Sequence, residues 1–178
     1  VREMKTRLSR LEIQFSSNLN NDNTTLEFSA HELAGVPATA LATFSRTGTG
    51  TFLVTTKYPD YYAIMQNADR SDTRRRMASA FNNRQGIENT RLLEEAIVLR
   101  QQIAHTLGYE TWADYRIDGR MAQEKEAVLA FLAGLDGPLK QKTAQELALL
   151  LDVKRSLVPQ AASVDPWDIL YLEEIFRS

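Results

Sequence analysis

The chain has 178 residues, 43% of them hydrophobic and 25% charged, with a formal net charge of -2. That size and balance fit a globular chain with enough interior for a core, and they disfavour disorder. With no cysteine, disulfides, thiolate metal sites and cysteine nucleophiles are excluded.

In chain order, Val1, Met4, Leu8, Leu11, Phe15 and Leu19 step by three or four and predict a helix over about 1–19. Asn20-Asn21-Asp22-Asn23 has a turn composition, and Leu26-Glu27-Phe28 alternates as a short strand. Ser29 and Glu32 have capping-box spacing, so a brief helix is expected before Gly35 and Pro37. Pro37 then suits the first turn of another short helix carrying Leu41 and Phe44. Gly48-Thr49-Gly50 breaks the chain, and β-branched, aromatic Thr51 to Thr56 is the best strand signal.

Pro59 opens a helix with Tyr62, Ile64 and Met65, and Ser71 is the expected N-cap of the next, with Thr73, Met77, Ala80 and Phe81 facing inward. Leu92, Ala96, Leu99, Ile103 and Leu107 form a stripe closed by Gly108. Thr111 starts a short helix holding Trp112 and Tyr115. Val128, Leu129, Phe131, Leu132 and Leu135 form a further stripe, with a kink or a new helix expected at Pro138. Leu139, Leu147, Leu150, Leu151 and Leu157 continue the apolar face. In Asp165-Pro166-Trp167-Asp168, Asp165 should cap, Pro166 should take the first position and Asp168 should favour the helix dipole. The reading is a mainly α fold of about eight helices with one or two short strands, taken as a single helical region over 1–178. No apolar run approaches the ~20 residues of a membrane span, so no membrane partner is expected.

Chemistry-bearing patterns are few. His31-Glu32 begins like a zinc-peptidase His-Glu-x-x-His, which needs a second histidine one turn on so that both imidazoles reach one metal, but that position is Gly35. The second and last histidine, His105, lies far away in sequence near a helix end, where its charged form suits the dipole. Arg74-Arg75-Arg76, with Arg70, Arg84 and Arg91, is the densest positive charge; consecutive helical residues point across a wide arc, so a solvated or ion-paired surface is expected and nucleic acid is not. Gly48-Thr49-Gly50 lacks the third glycine of a dinucleotide loop and precedes a strand, so it reads as a turn. Tyr58, Tyr61 and Tyr62 sit beside the strand and suit either a peptide channel or the edge of a core. Glu94-Glu95 and Glu173-Glu174 are adjacent on helices and point apart, as solvated faces do. No catalytic, cofactor-binding or metal-ligating residue is assigned.

The order of segments carries more. Phe15-Ser16-Ser17-Asn18-Leu19, Glu32-Leu33-Ala34-Gly35-Val36-Pro37 and the strand followed by Tyr58-Pro59-Asp60-Tyr61 come first. Then come Arg74-Arg75-Arg76-Met77 through Phe81-Asn82-Asn83-Arg84, and Leu99-Arg100 through Leu107-Gly108-Tyr109. Met121-Ala122 with Val128-Leu129-Ala130-Phe131-Leu132, then Glu146-Leu147 and Pro166-Trp167-Asp168, complete the series. In this order they resemble the thimet oligopeptidase, oligopeptidase A and peptidyl-dipeptidase family of zinc metallopeptidases, in the stretch before its zinc motif. Arg120 stands where that family has a lysine, and Gly134, Gly137 and Pro138 fall where it keeps a continuous helix.

The resemblance implies a neurolysin-like helical oligopeptidase fold in which this stretch supplies channel wall and scaffold. In the whole enzyme a zinc ion would polarise a peptide carbonyl and activate water, with short peptides as substrates; this chain itself is expected to hold no cofactor. The helical register already present at Val1 and the apolar close from Leu170 to Ser178 make a fragment the expectation, with the remainder of the same polypeptide as its partner. They also predict apolar terminal faces and self-association. The alternative is an autonomous helical module that binds a peptide or protein. Compartment and peptide specificity are not legible.

Overall fold

The computed structural model describes residues 1–177; Ser178, the end of the closing apolar run, lies outside the described residues. The described chain carries eight α-helices, one 3-10 helix and three short strands. It divides into two compact units, one formed by Val1–Asn21 with Gln85–Lys142 and the other by Asp22–Arg84 with the described residues from Thr143 onward. Among the described residues no helix is long and apolar enough to cross a membrane.

In the first unit, helix α1 (Arg2–Asn20) packs along a later helix of the same unit, Gly86–Thr106. Leu8 and Leu11 are buried against Ala96 and Ile103, with Met4, Leu92, Leu99, Trp112 and Tyr115 at the margin. Both stripes were visible as apolar steps of three and four, and burying them against each other removes them from water. Polar pairs fix the helix register. Arg7 is bidentate to Glu95, with bonds of 2.7 and 2.9 Å, and Asn89 accepts from Asn18 at 2.8 Å while donating to the Phe15 carbonyl at 3.1 Å.

In the second unit, β1 (Thr25–Phe28) comes first, followed by the one-turn helix α2 (Ala38–Leu41), β2 (Ser45–Arg46) and β3 (Phe52–Thr55). They make an antiparallel sheet in the order β1-β3-β2. Phe28 faces Phe52 and Leu26 faces Val54, which places these side chains on one face of the sheet. Onto that face pack Ile64 and Met65 of α3 (Tyr58–Asn67) and Met77 of α4 (Ser71–Asn82), all buried. Three strands replace the one or two expected. Ser45-Arg46 is too short to alternate, and it is recruited by the turn that Gly50 makes at φ +86° before β3. The Thr47 amide donates to the Thr51 carbonyl across that turn at 2.9 Å.

Several local expectations change. Ser29 and Glu32 do form a reciprocal box, since the Ser29 amide donates to Glu32 at 2.8 Å and the Glu32 amide to Ser29 Oγ at 3.3 Å; it caps a series of turns instead of a helix. Gly35, at φ +89°, explains the stop: a Cβ there would lie 2.3 Å from the Asn67 carbonyl oxygen. Pro37 is the N-cap of α2 and not part of its first turn, and Phe44 falls beyond that helix yet is buried. Ser71 is the first residue of α4 instead of its cap, so its hydroxyl is free for a tertiary bond.

The remaining helices are α5 (Gly86–Thr106), α6 (Trp112–Ile117), α7 (Lys125–Leu157) and α8 (Ile169–Arg177). Gly108 takes φ +88° after α5, as its position implied, and Thr111 with Asp114 forms a complete capping box for α6. No new helix begins at Pro138, which lies inside α7. Gly137 before it has no Cβ to meet the proline ring, and Gly134 stands four residues back, where the ring crowds the backbone. Of the apolar residues expected on the face of α7, only Leu150 is buried; Leu129, Phe131, Leu132, Leu139, Leu147 and Leu157 are exposed. The terminal stripes behave differently from that expectation of open faces. Leu8 and Leu11 are in the core of the first unit and Leu172 in that of the second, while Phe176 stays 61% exposed.

Candidate functional site

Within the second unit the strongest concentration of buried charge lies where α4 meets the 3-10 helix Pro166–Asp168. Arg74 shares the inward side of α4 with Met77, three residues on, and its side chain is only 5% exposed. Asp168, expected to serve a helix dipole, is instead fully buried at the centre of a polar knot. Its Oδ1 accepts from Arg74 Nη2 at 2.6 Å, Arg74 Nε at 3.2 Å and Ser71 Oγ at 2.8 Å. Its Oδ2 has no hydrogen bond of good geometry but stands 2.8 Å from Lys154 Nζ, an ion contact. Lys154, from the second part of α7, also donates to Asp165 at 2.8 Å. Asp165 keeps the N-cap position but makes no side-chain cap bond, because its carboxylate is turned to that lysine.

The surrounding shell is closed in the same way. Trp167 Nε1 donates to Ser71 Oγ at 2.8 Å, and Arg74 Nη1 donates to the Ala68 carbonyl. The Arg74 guanidinium lies over the Tyr171 ring, 4.1 Å from its centroid, and Tyr171 donates to Asp69 at 3.2 Å. The Asp69 amide donates to the Ala34 carbonyl at 2.8 Å, tying the knot to the tight turn at Gly35. Burial works to raise the Asp168 pKa, but the contacts from Lys154, Arg74 and Ser71 outweigh it and hold the carboxyl below its ordinary value. For Lys154, burial works to lower the pKa and the two carboxylates outweigh it, so the ammonium is held above its ordinary value. A buried carboxylate held between Arg74 on one oxygen and Lys154 on the other is the arrangement of an ion-paired structural lock.

The other predicted candidates fall elsewhere. His31 lies in the exposed turn after β1, its Nε2 2.9 Å from Arg70 Nη1. Glu32 is spent on Ser29 and on an ion pair with Arg76; the Ser29 amide is the largest cause, against a burial effect that raises it, of a carboxyl held below its ordinary value. His105 is exposed in the last turn of α5, where its Nε2 lies 2.7 Å from Gln101 Nε2 and 3.0 Å from the Glu110 carbonyl. Among the described residues no three His, Cys, Asp or Glu side chains converge as metal ligands.

Of the arginine run, Arg75 pairs with Asp72 and Arg76 with Glu32 near the surface, as expected, whereas Arg74 is buried and not part of a solvated face. Tyr61 stacks on Phe81 at 3.9 Å at the margin of the core, with the Arg84 guanidinium over Phe81 at 3.8 Å. Tyr58 and Tyr62 stack on each other at 6.1 Å and leave much of their surface in solvent. Glu95 is paired with Arg7, and Glu173 with Arg177. Sequence reading missed the Arg74–Asp168–Lys154 knot. The available signal was the helical phase of Arg74, three residues before the inward Met77; nothing local marks Lys154.

With this geometry established, comparison with known proteins adds the lineage. A family model described as "Peptidase family M3" matches residues 64–178. Saccharolysin of Saccharomyces cerevisiae is 31% identical over 184 residues, which covers 97% of this chain and 26% of that protein. Oligopeptidase A of Escherichia coli is 32% identical over 190 residues, covering 97% of this chain and 27% of its own length. A probable thimet oligopeptidase of Arabidopsis thaliana is 30% identical over 155 residues, covering 87% and 22%. The chain therefore spans about a quarter of the length of these curated relatives.

Proposed function

The chain belongs to peptidase family M3, and from that premise we propose that it is a non-catalytic, wall-forming part of a longer oligopeptidase acting on short peptides. One observation carries this reading: the relatives align along nearly all of this chain, yet only along about a quarter of themselves. The character of the site supports it. The Arg74–Asp168–Lys154 centre is an ion-paired knot, and among the described residues neither His31 nor His105 belongs to a group of three metal-ligating side chains.

In that role the knot seats Pro166-Trp167-Asp168 against α4 and fixes the start of α8. Beside it an apolar groove of about 470 Å³ opens between the second part of α7 and α8, lined by Leu147, Leu150, Ile169 and Phe176. This groove and the exposed leucines of α7 are faces that the remainder of the polypeptide would cover. Zinc, which the resemblance implies for a whole enzyme of this kind, is assigned to no residue of this chain. Metal analysis of the purified chain after dialysis against zinc-containing buffer tests the reading. We expect less than stoichiometric zinc; one retained zinc per chain, lost on replacing His31 or His105, would contradict it.

The second reading, an autonomous helical binding module, is favoured by the burial of Leu8, Leu11 and Leu172 within the chain's own two units. A chain that stays monomeric and folds cooperatively at high concentration in light scattering supports that reading; concentration-dependent association supports the first.

A further inference from the structure

In the first unit, a cleft of about 510 Å³ opens among α1, α5 and α6, within the size range of small-molecule sites. Its lining brings together three cations, Lys5, Arg100 and Arg116, and one carboxylate, Glu12, beside the rings of Trp112 and Tyr115. The carboxylate is already used, because Arg100 Nη2 donates to Glu12 at 2.9 Å. Lys5 and Arg116 form no ion pair among the described residues. Lys5 Nζ donates to the Tyr115 hydroxyl at 2.7 Å, and Arg116 faces Trp112 with 5.9 Å to the ring centroid. Arg100 is incompletely satisfied as well, since its Nε is buried with no acceptor.

A concave surface with an unbalanced positive charge and two aromatic rings at its margin has a defined complement. Positive side chains converging on a partly desolvated hollow attract a negative group more strongly than the same charges spread over a convex face. Trp112 and Tyr115, 5.3 Å apart between centroids, put aromatic edges beside the charges, with buried Leu8 at the floor. We propose that this cleft binds a small organic anion with a planar apolar body, of which an aromatic carboxylate is the simplest case. The carboxylate meets Lys5 and Arg116, and the ring rests against Trp112, Tyr115 and Leu8. Because every lining residue belongs to the first unit, the 178-residue chain alone carries the whole cleft.

The test uses the two tryptophans, one in each unit. Benzoate, benzyl alcohol and sodium sulfate are titrated into the 178-residue chain at constant ionic strength while both indole N–H signals are followed by NMR, with Trp112 assigned through a Trp167→Phe variant. Benzoate should shift the Trp112 signal saturably, with a dissociation constant on the order of 1 mM, and leave that of Trp167 in place. Benzyl alcohol and sulfate should each bind at least tenfold more weakly. Lys5→Gln and Arg116→Gln, both at exposed positions, should each weaken benzoate about tenfold with the rest of the spectrum unchanged. Equal binding of benzyl alcohol, equal binding of sulfate, no saturable shift at Trp112, or unchanged affinity in both folded variants would each overturn the proposal.

Discussion

Replacing Asp168 by asparagine removes the charge at the centre of the knot and little else. The wild-type carboxylate is about 1% exposed and answers Arg74, about 5% exposed, and Lys154, about 15% exposed. The substituted side chain would keep one oxygen for Arg74 and Ser71. Either its amide would then face the Lys154 ammonium, donor against donor, or that oxygen would turn to Lys154 and desert Arg74. Breaking one partner of a buried ion pair costs roughly 3–5 kcal/mol, and the retained oxygen places this case near the lower end, about 3 kcal/mol. With a urea m-value of about 2 kcal/mol/M, the midpoint should fall by about 1.5 M. Trp167 reports from inside the knot through its bond to Ser71, so its fluorescence in a Trp112→Phe background follows this unit.

The pH dependence has a fixed sign. The folded pKa of Asp168 is held below its ordinary value, so its contribution is present above the unfolded value of about 3.9 and is lost as pH falls through the folded one. The gap between wild type and Asp168→Asn should be flat between about pH 5 and 8 and narrow below about pH 4. A midpoint change under about 0.3 M, or a gap that widens in acid, would refute the assignment of the knot as the unit's electrostatic lock.

Other substitutions probe separate features. Gly35→Ala forces a side chain into φ +89° and to within 2.3 Å of the Asn67 carbonyl oxygen, so a loss of about 2 kcal/mol or more is expected in thermal unfolding. Thr111→Ala breaks the capping box of α6 and should cost about 1 kcal/mol in urea unfolding followed by Trp112. Leu11→Asp puts a charge into the core of the first unit and should cost more than about 3 kcal/mol, whereas Phe176→Asp at an exposed position should stay within about 0.5 kcal/mol; circular dichroism melts compare the two.

Periodic features were legible in the sequence because their cause is local. The stripes of α1 and α5, the glycine at 108, the turn before α6 at Thr111 and the β-branched, aromatic run of β3 each follow from a few neighbouring residues. What escaped depends on partners far along the chain. Arg74 lies 94 residues from Asp168, and a polar residue in an arginine run looks solvated until its acceptor is known. Ser45-Arg46 becomes a strand only because β3 offers its edge, and of the two outcomes expected at Pro138, a kink or a new helix, the new helix does not form. The exposed apolar face of α7 shows a related limit: periodicity reveals that a face wants a partner, but not whether this chain supplies it.

The most direct test of the oligopeptidase account measures turnover of a fluorogenic oligopeptide in zinc-containing buffer, by the 178-residue chain and by the protein from the full reading frame. The account predicts no turnover by the chain alone and chelator-sensitive turnover by the full-frame protein. Chelator-sensitive turnover by the chain alone, or a full-frame protein without peptidase activity, would contradict it.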